Sequence, residues 1–294
     1  MKWEGQEQSD NVEDRRGASG SSGGGRMPRI GGRGIGLGGI AIALVAGWVF
    51  GINPMTVLGL LSGEGDVPVA QQPAEPGRKP PPEDKVAMFT STVLKDTELV
   101  WGRIFQASGK TYAPPRLIIF RGVTPTACGS GESAMGPFYC PGDKQVYIDL
   151  DFFDTLSQRL GAPGDFAQAY VISHEVAHHV QNLLGVTGKV DAMRGRVSQA
   201  QQNALSVRVE LQADCLAGVW AHHSQQRKGW LERGDIEEGL NAASRIGDDT
   251  LQKASQGRVV PESFTHGTSA QRVSWFKRGL DGGSVAQCDT FASR

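Results

Sequence analysis

The sequence predicts an α+β fold: a mainly helical domain with a small, mostly antiparallel sheet, preceded by one transmembrane helix. Three observations lead there. Apolar residues recur every three or four positions between Phe166 and Leu184, and again between Ala204 and Val219. Two short runs of strand-forming residues stand ahead of them, at Arg116–Phe120 and Gln145–Leu150. The stretch from Gly34 to Leu61 carries no charge.

Taken from the N-terminus, residues 1–33 are polar, become Gly/Ser-rich between Gly17 and Gly25, and read as a disordered tail. The uncharged run 34–61, with its core at Ile35–Ile52 and a break at Asn53-Pro54, is long enough to cross a bilayer. About thirty hydrophilic residues precede it and no small-residue cleavage site follows, which sets it apart from a signal peptide. Arg26, Arg29 and Arg33 lie before the run and Glu64 and Asp66 after it. The positive side stays inside, so the expected topology is single-pass in the cytoplasmic (inner) membrane. The N-terminus is then cytoplasmic and the rest periplasmic. Residues 62–85, with Pro73, Pro76, Pro80, Pro81 and Pro82, read as a semi-extended tether, and residues 86–294 as one domain.

Within that domain, Leu117, Ile118 and Ile119 mark the first strand and Val146, Tyr147 and Ile148 the second. A helix follows Pro163-Gly164, with Asp165 as N-cap and Gly185 just past its end. The next begins at Ser198, where Ser198 and Gln201 form a capping box, and closes near His222-His223. Asp235 to Gly257 reads as one further helix, and Thr268 with Gln271 caps a last one running towards Gly279.

The first long helix contains His174-Glu175-Val176-Ala177-His178. Positions four apart share a helical face, so both imidazoles point the same way with Glu175 beside them. Two histidines so placed can hold zinc while the glutamate takes a proton from water. A hydrolytic site needs a third ligand, and Glu210-Leu211-Gln212-Ala213-Asp214 offers one on a helix otherwise largely apolar, where a lone carboxylate is costly. Glu210 is the candidate ligand. Asp214, one turn on, would accept the free ring N–H of a ligating histidine. The reverse, with Asp214 ligating and Glu210 behind it, stays open. His179 is rotated about 100° from its neighbour and cannot readily join the same ion. His222-His223 reads as a solvated pair at a helix exit. All four cysteines follow the uncharged run. Export favours disulfides, with Cys128–Cys140 closing a Gly-rich loop and Cys215–Cys288 pinning the tail as the preferred pairing. A second zinc site, for which no C-x-x-C spacing exists, and a buried free Cys215 are the alternatives.

The segment Val171–Gln181, taken with Glu210–Cys215, resembles the bacterial neutral zinc metallopeptidases. Its His174-Glu175-x-x-His178…Glu210-x-x-x-Asp214 pattern is similar to that of the gluzincins. The resemblance covers roughly residues 86–294 and extends in that family to a membrane-anchored N-terminus. It implies a zincin-like catalytic domain, Zn2+ as cofactor, Glu175 as general base and a peptide or protein substrate, cut as an endopeptidase more readily than as an exopeptidase. In enzymes similar to this one a sheet edge near the metal aligns the substrate as an added strand. Gln145–Asp149 is the candidate edge, and an internal core strand the competing reading. His266, just ahead of the last helix, resembles the histidine that stabilises the oxyanion in gluzincin-like enzymes, with Tyr139 and Tyr147 as weaker candidates. A net charge of −1 gives no sign of a nucleic-acid partner. Two other classes compete: a non-catalytic zinc-stabilised binding or assembly module of the cell envelope, whose site would be closed and four-coordinate, and hydrolysis of a non-peptide amide or ester.

Overall fold

The computed structural model describes residues 1–17, 78–133 and 136–292, so the uncharged run 34–61 and most of the expected tether lie outside the described residues. In chain order the elements are β1 (Val12–Asp14), α1 (Lys85–Ala107), β2 (Arg116–Phe120), the hairpin β3 (Val123–Thr126) and β4 (Gly129–Glu132), β5 (Phe138–Cys140) and β6 (Gln145–Asp149). The short α2 (Asp151–Asp154) precedes α3 (Asp165–Leu183), α4 (Val186–Asp191), α5 (Gln199–Lys228), α6 (Asp235–Arg245), α7 (Asp248–Gln256) and α8 (Ser269–Gly282).

The main sheet has the order β1-β2-β6-β5. Leu117, Ile119, Val146 and Ile148 face a core shared with Phe166, Tyr170 and Ile172 of α3, while Ile118, Phe120 and Tyr147 turn to the other face with Phe138. Burial on both faces explains why β2 is a continuous apolar run instead of an alternating one. The expectation of a mostly antiparallel sheet is corrected: β1–β2 and β2–β6 are parallel, and β5–β6 is antiparallel. The proposed substrate edge is corrected too. Gln145–Asp149 lies between β2 and β5, and the edge strands are β1 and β5.

The expectation of a disordered tail over 1–33 is corrected for residues 1–16, and residues 18–33 lie outside the described residues. Residues Met1–Arg16 and Arg78–Arg294 form one compact unit. Val12, Glu13 and Asp14 pair with Leu117, Ile118 and Ile119. Trp3 packs edge-on against Phe89 at 5.3 Å, and the Met1 ammonium lies 3.2–3.4 Å from the carboxylates of Asp165, Glu232 and Asp235. Polar composition concealed this because the segment is held by main-chain pairing and ion pairs, with few apolar anchors. The chain leaves the unit where it returns: the Asp14 N–H donates to the Arg78 carbonyl at 2.7 Å, and Arg16 pairs with Asp84 at 2.7 Å. A single membrane crossing between these points would put two halves of one sheet on opposite sides. The β1–β2 ladder therefore argues against the expected single-pass topology with a cytoplasmic N-terminus and an extracytoplasmic domain. No described helix is long and apolar enough to span a membrane.

Smaller departures follow from local contacts. Gly164, not Asp165, precedes α3, and the Phe166 N–H is met by Glu238 at 3.1 Å. The capping box at Ser198–Gln201 forms as read, but α5 continues to Lys228. His222 and His223 are partly buried and bond the carbonyls of Leu280 and Gly283 at 2.7 and 2.8 Å, tying α5 to the end of α8 instead of facing solvent. The helix expected over Asp235–Gly257 is two, broken at Ile246-Gly247. Both disulfides form in the expected pairing, Cys128–Cys140 and Cys215–Cys288.

Candidate metal centre

Helices α3 and α5 carry the site, and α8 braces it. Gly218 and Gly279 let α5 and α8 touch backbone to backbone: a Cβ at Gly279 would lie 1.9 Å from the Cys215 carbonyl oxygen, and one at Gly218 2.1 Å from that of Phe276. Only glycine admits this approach, which delivers Arg272 of α8 to Asp214 of α5.

His174, His178 and Glu210 offer ligand atoms that all lie within 4.8 Å of one another. His174 Nε2 is 3.1 Å from Glu210 Oε2 and His178 Nε2 is 3.5 Å from Glu210 Oε1. Ligand atoms on a tetrahedral zinc are separated by roughly 3.4 Å, so the donor set fits that ion in chemistry and in spacing. Burial opposes the ionised form of Glu210, yet His178 and His174 hold its carboxyl well below the usual carboxylate range. For His174 burial disfavours the charge, and Asp214 and Glu210 outweigh it, pushing the imidazole up to about 10. A cation seated among these atoms must therefore displace protons.

Each ring is held from behind. His174 Nδ1 lies 3.0 Å from Asp214 Oδ1. Asp214 itself is fully buried and accepts two bonds from the Arg272 guanidinium, at 2.9 and 3.0 Å, and one from the Tyr170 hydroxyl. His178 Nδ1 lies 2.8 Å from Gln181 Oε1. Asp214 thus stands behind His174 while Glu210 faces both rings. Glu175 is buried beside them, and its side chain makes no hydrogen bond to another among the described residues. His178 and Glu210 keep partial exposure, so the group opens to solvent on one side.

His266 lies close enough to Glu210 for their charges to affect each other's titration. Asp248, at the start of α7, orients it: Oδ1 is 3.2 Å from His266 Nδ1, and Oδ2 accepts the backbone N–H groups of Thr265, His266 and Gly267. Tyr139 and Tyr147 are occupied elsewhere. The Tyr139 hydroxyl bonds His179 Nδ1 at 3.0 Å, and that of Tyr147 donates to Asp143 at 2.8 Å. His179 gives its other nitrogen to the Ala113 carbonyl at 2.7 Å, so it pins α3 to β5 and to the chain before β2. The sequence reading missed Arg272, Tyr170, Gln181 and Asp248. The one signal for Arg272 was an arginine a turn ahead of Phe276 on the inward face of its helix.

Comparison with known proteins shows what the chain as a whole is similar to. The chain is 56% identical over 295 residues to uncharacterized protein YpfJ of Escherichia coli K12, covering 99% of each. It is 45% identical over 194 residues to uncharacterized protein Rv2575 of Mycobacterium tuberculosis H37Rv, covering 62% of this chain and 64% of that one. No solved structure matches it. The profile described as "Putative neutral zinc metallopeptidase" matches residues 1–291, so the N-terminal strand is included, and the chain belongs to that family, with Zn2+ as its expected cofactor.

Proposed function

We propose that this chain is a zinc endopeptidase of the cell envelope, with His174, His178 and Glu210 as metal ligands and Glu175 as general base. The observation that carries the reading is the convergence of two Nε2 atoms and one carboxylate beside a buried, unengaged Glu175. Zinc bound there supplies a more acidic water and polarises a substrate carbonyl. Glu175 takes the proton from the attacking water and returns it to the leaving amine. His266, aligned by Asp248, donates a hydrogen bond to the developing oxyanion. The grouping of three donors, partly exposed, favours an open site over the closed four-donor shell of a structural zinc module. Two disulfides support an oxidising, extracytoplasmic location. The uncharged run 34–61 supports membrane attachment.

Glu175→Gln is the test. Zinc content should stay at the wild-type level while chelator-sensitive cleavage of a quenched peptide library falls by about 10²- to 10⁴-fold. Cleavage at the wild-type rate would remove Glu175 from the reaction. Wild-type protein that holds zinc yet cleaves nothing would favour the binding module.

A further inference from the structure

Both candidate ligand histidines must present an unprotonated Nε2, which requires the proton on Nδ1. For His174 a carboxylate enforces this. For His178 the partner is the amide of Gln181, which can turn either its oxygen or its NH2 group to the ring and so fixes nothing alone. Its orientation comes from its far side. Gln181 Nε2 donates to the Val209 carbonyl at 2.7 Å and to Gln212 Oε1 at 3.1 Å. Gln212 Nε2 donates in turn to the Cys288 carbonyl at 3.0 Å. A backbone carbonyl can only accept, so each amide in the chain has one consistent orientation and its last oxygen faces His178. Gln181 is fully buried, and the end of the relay is anchored: Cys288 is bonded to Cys215 on α5, and Thr290 donates to the Arg208 carbonyl at 2.7 Å.

We propose that Gln181 is a positioning residue for the metal centre, aligned by Val209 and, through Gln212, by the disulfide-pinned C-terminal tail, and that it keeps His178 in the tautomer that leaves Nε2 free for the cation. This rests on the zinc reading above and extends it to the tail, which lies outside the ligand set. The test is the zinc dissociation constant of the full chain, read by competition with a chromophoric chelator and set beside the melting temperature of each variant. Gln181→Met keeps the length and removes both polar functions, and should weaken zinc by about 10- to 100-fold. Gln181→Glu restores an acceptor for His178 while losing the donors to Val209 and Gln212. It should recover most of the zinc affinity even though its melting temperature stays below wild type. Gln212→Met, which leaves the Val209 anchor, should weaken zinc several-fold, and it decides the matter if Gln181→Met does not fold. Zinc affinity unchanged in Gln181→Met, or falling in step with melting temperature across all three variants, would reduce Gln181 to a packing contact and overturn the proposal. Wild-type chain that binds no zinc would instead overturn the metal centre itself, an outcome visible before any variant is made.

Discussion

His266 shows how a single loop residue can be made rigid enough for chemistry. Three consecutive backbone N–H groups converge on one oxygen of Asp248, and the other oxygen faces the ring, so the loop is wrapped around a carboxylate. The His266 ring is about half exposed (51%) yet partly desolvated by its neighbours, which disfavours the imidazolium; Asp248 and Glu210 outweigh this and raise its pKa above the ordinary 6.5. Asp248 moves the other way: burial would raise it, and the His266 contact and the backbone donors hold it below 3.8. The sign follows. A raised histidine adds stability that is complete below its unfolded pKa and is lost as pH rises through the folded one. A depressed aspartate adds stability that is present above its unfolded pKa and is lost as pH falls through the folded one. The charged pair therefore contributes between the two folded values and is lost on the alkaline side as pH rises through the raised His266 value. If the imidazolium is the oxyanion donor, the pH profile of kcat/KM should show an alkaline limb above 6.5. His266→Ala should remove that limb and lower kcat by about 10²- to 10³-fold. An unchanged profile in that variant would exclude the role.

At the scale of elements, the crossing of α5 and α8 sets the metal centre's geometry. Arg272 reaches Asp214 only because Gly218 and Gly279 bring the two backbones into contact, and Asp214 in turn fixes the His174 ring. Gly279→Ala should force the helices apart, costing about 1–3 kcal/mol or more from overpacking, and lengthen the Arg272–Asp214 contact. Lower melting temperature together with weaker zinc binding would report the coupling; a variant that loses stability but keeps its zinc affinity would deny it. Much of this level could be read from sequence because it depends on neighbours in the chain. The Ser198–Gln201 and Thr268–Gln271 caps, the histidine pair one turn apart and the Cys128–Cys140 pair, 12 residues apart, are all local or nearly so. Arg272 and Gln181 were not legible, since each has meaning only beside partners on another helix. Nor was the split at Gly247, where the carboxylate of Asp248 serves a loop seventeen or more residues away. The parallel sheet escaped for a further reason: Val12-Glu13-Asp14 has no alternating pattern, and its pairing with β2 joins distant parts of the chain.

For the whole molecule, the decisive fact is that Met1–Arg16 and Arg78–Arg294 share one unit. Flanking charge argued for a cytoplasmic start and an exported domain. The β1–β2 ladder, the Asp14–Arg78 bridge and the Arg16–Asp84 ion pair place both segments in one compartment. Further contacts agree: Ser9 and Asn11 both bond Glu98 of α1, and the Ser91 hydroxyl donates to the Ser9 carbonyl. Both disulfides favour an oxidising compartment, so the side expected for both segments is the extracytoplasmic one. Single cysteines at two exposed positions, Gln8→Cys and Arg258→Cys, test this with a membrane-impermeant maleimide on intact spheroplasts. Both should label to the same extent before lysis. Labelling at residue 258 with residue 8 protected until lysis would restore a single crossing, and β1 could then not be part of the sheet in the cell. Protection of both until lysis would keep the shared fold but place it in the cytoplasm, against the disulfides.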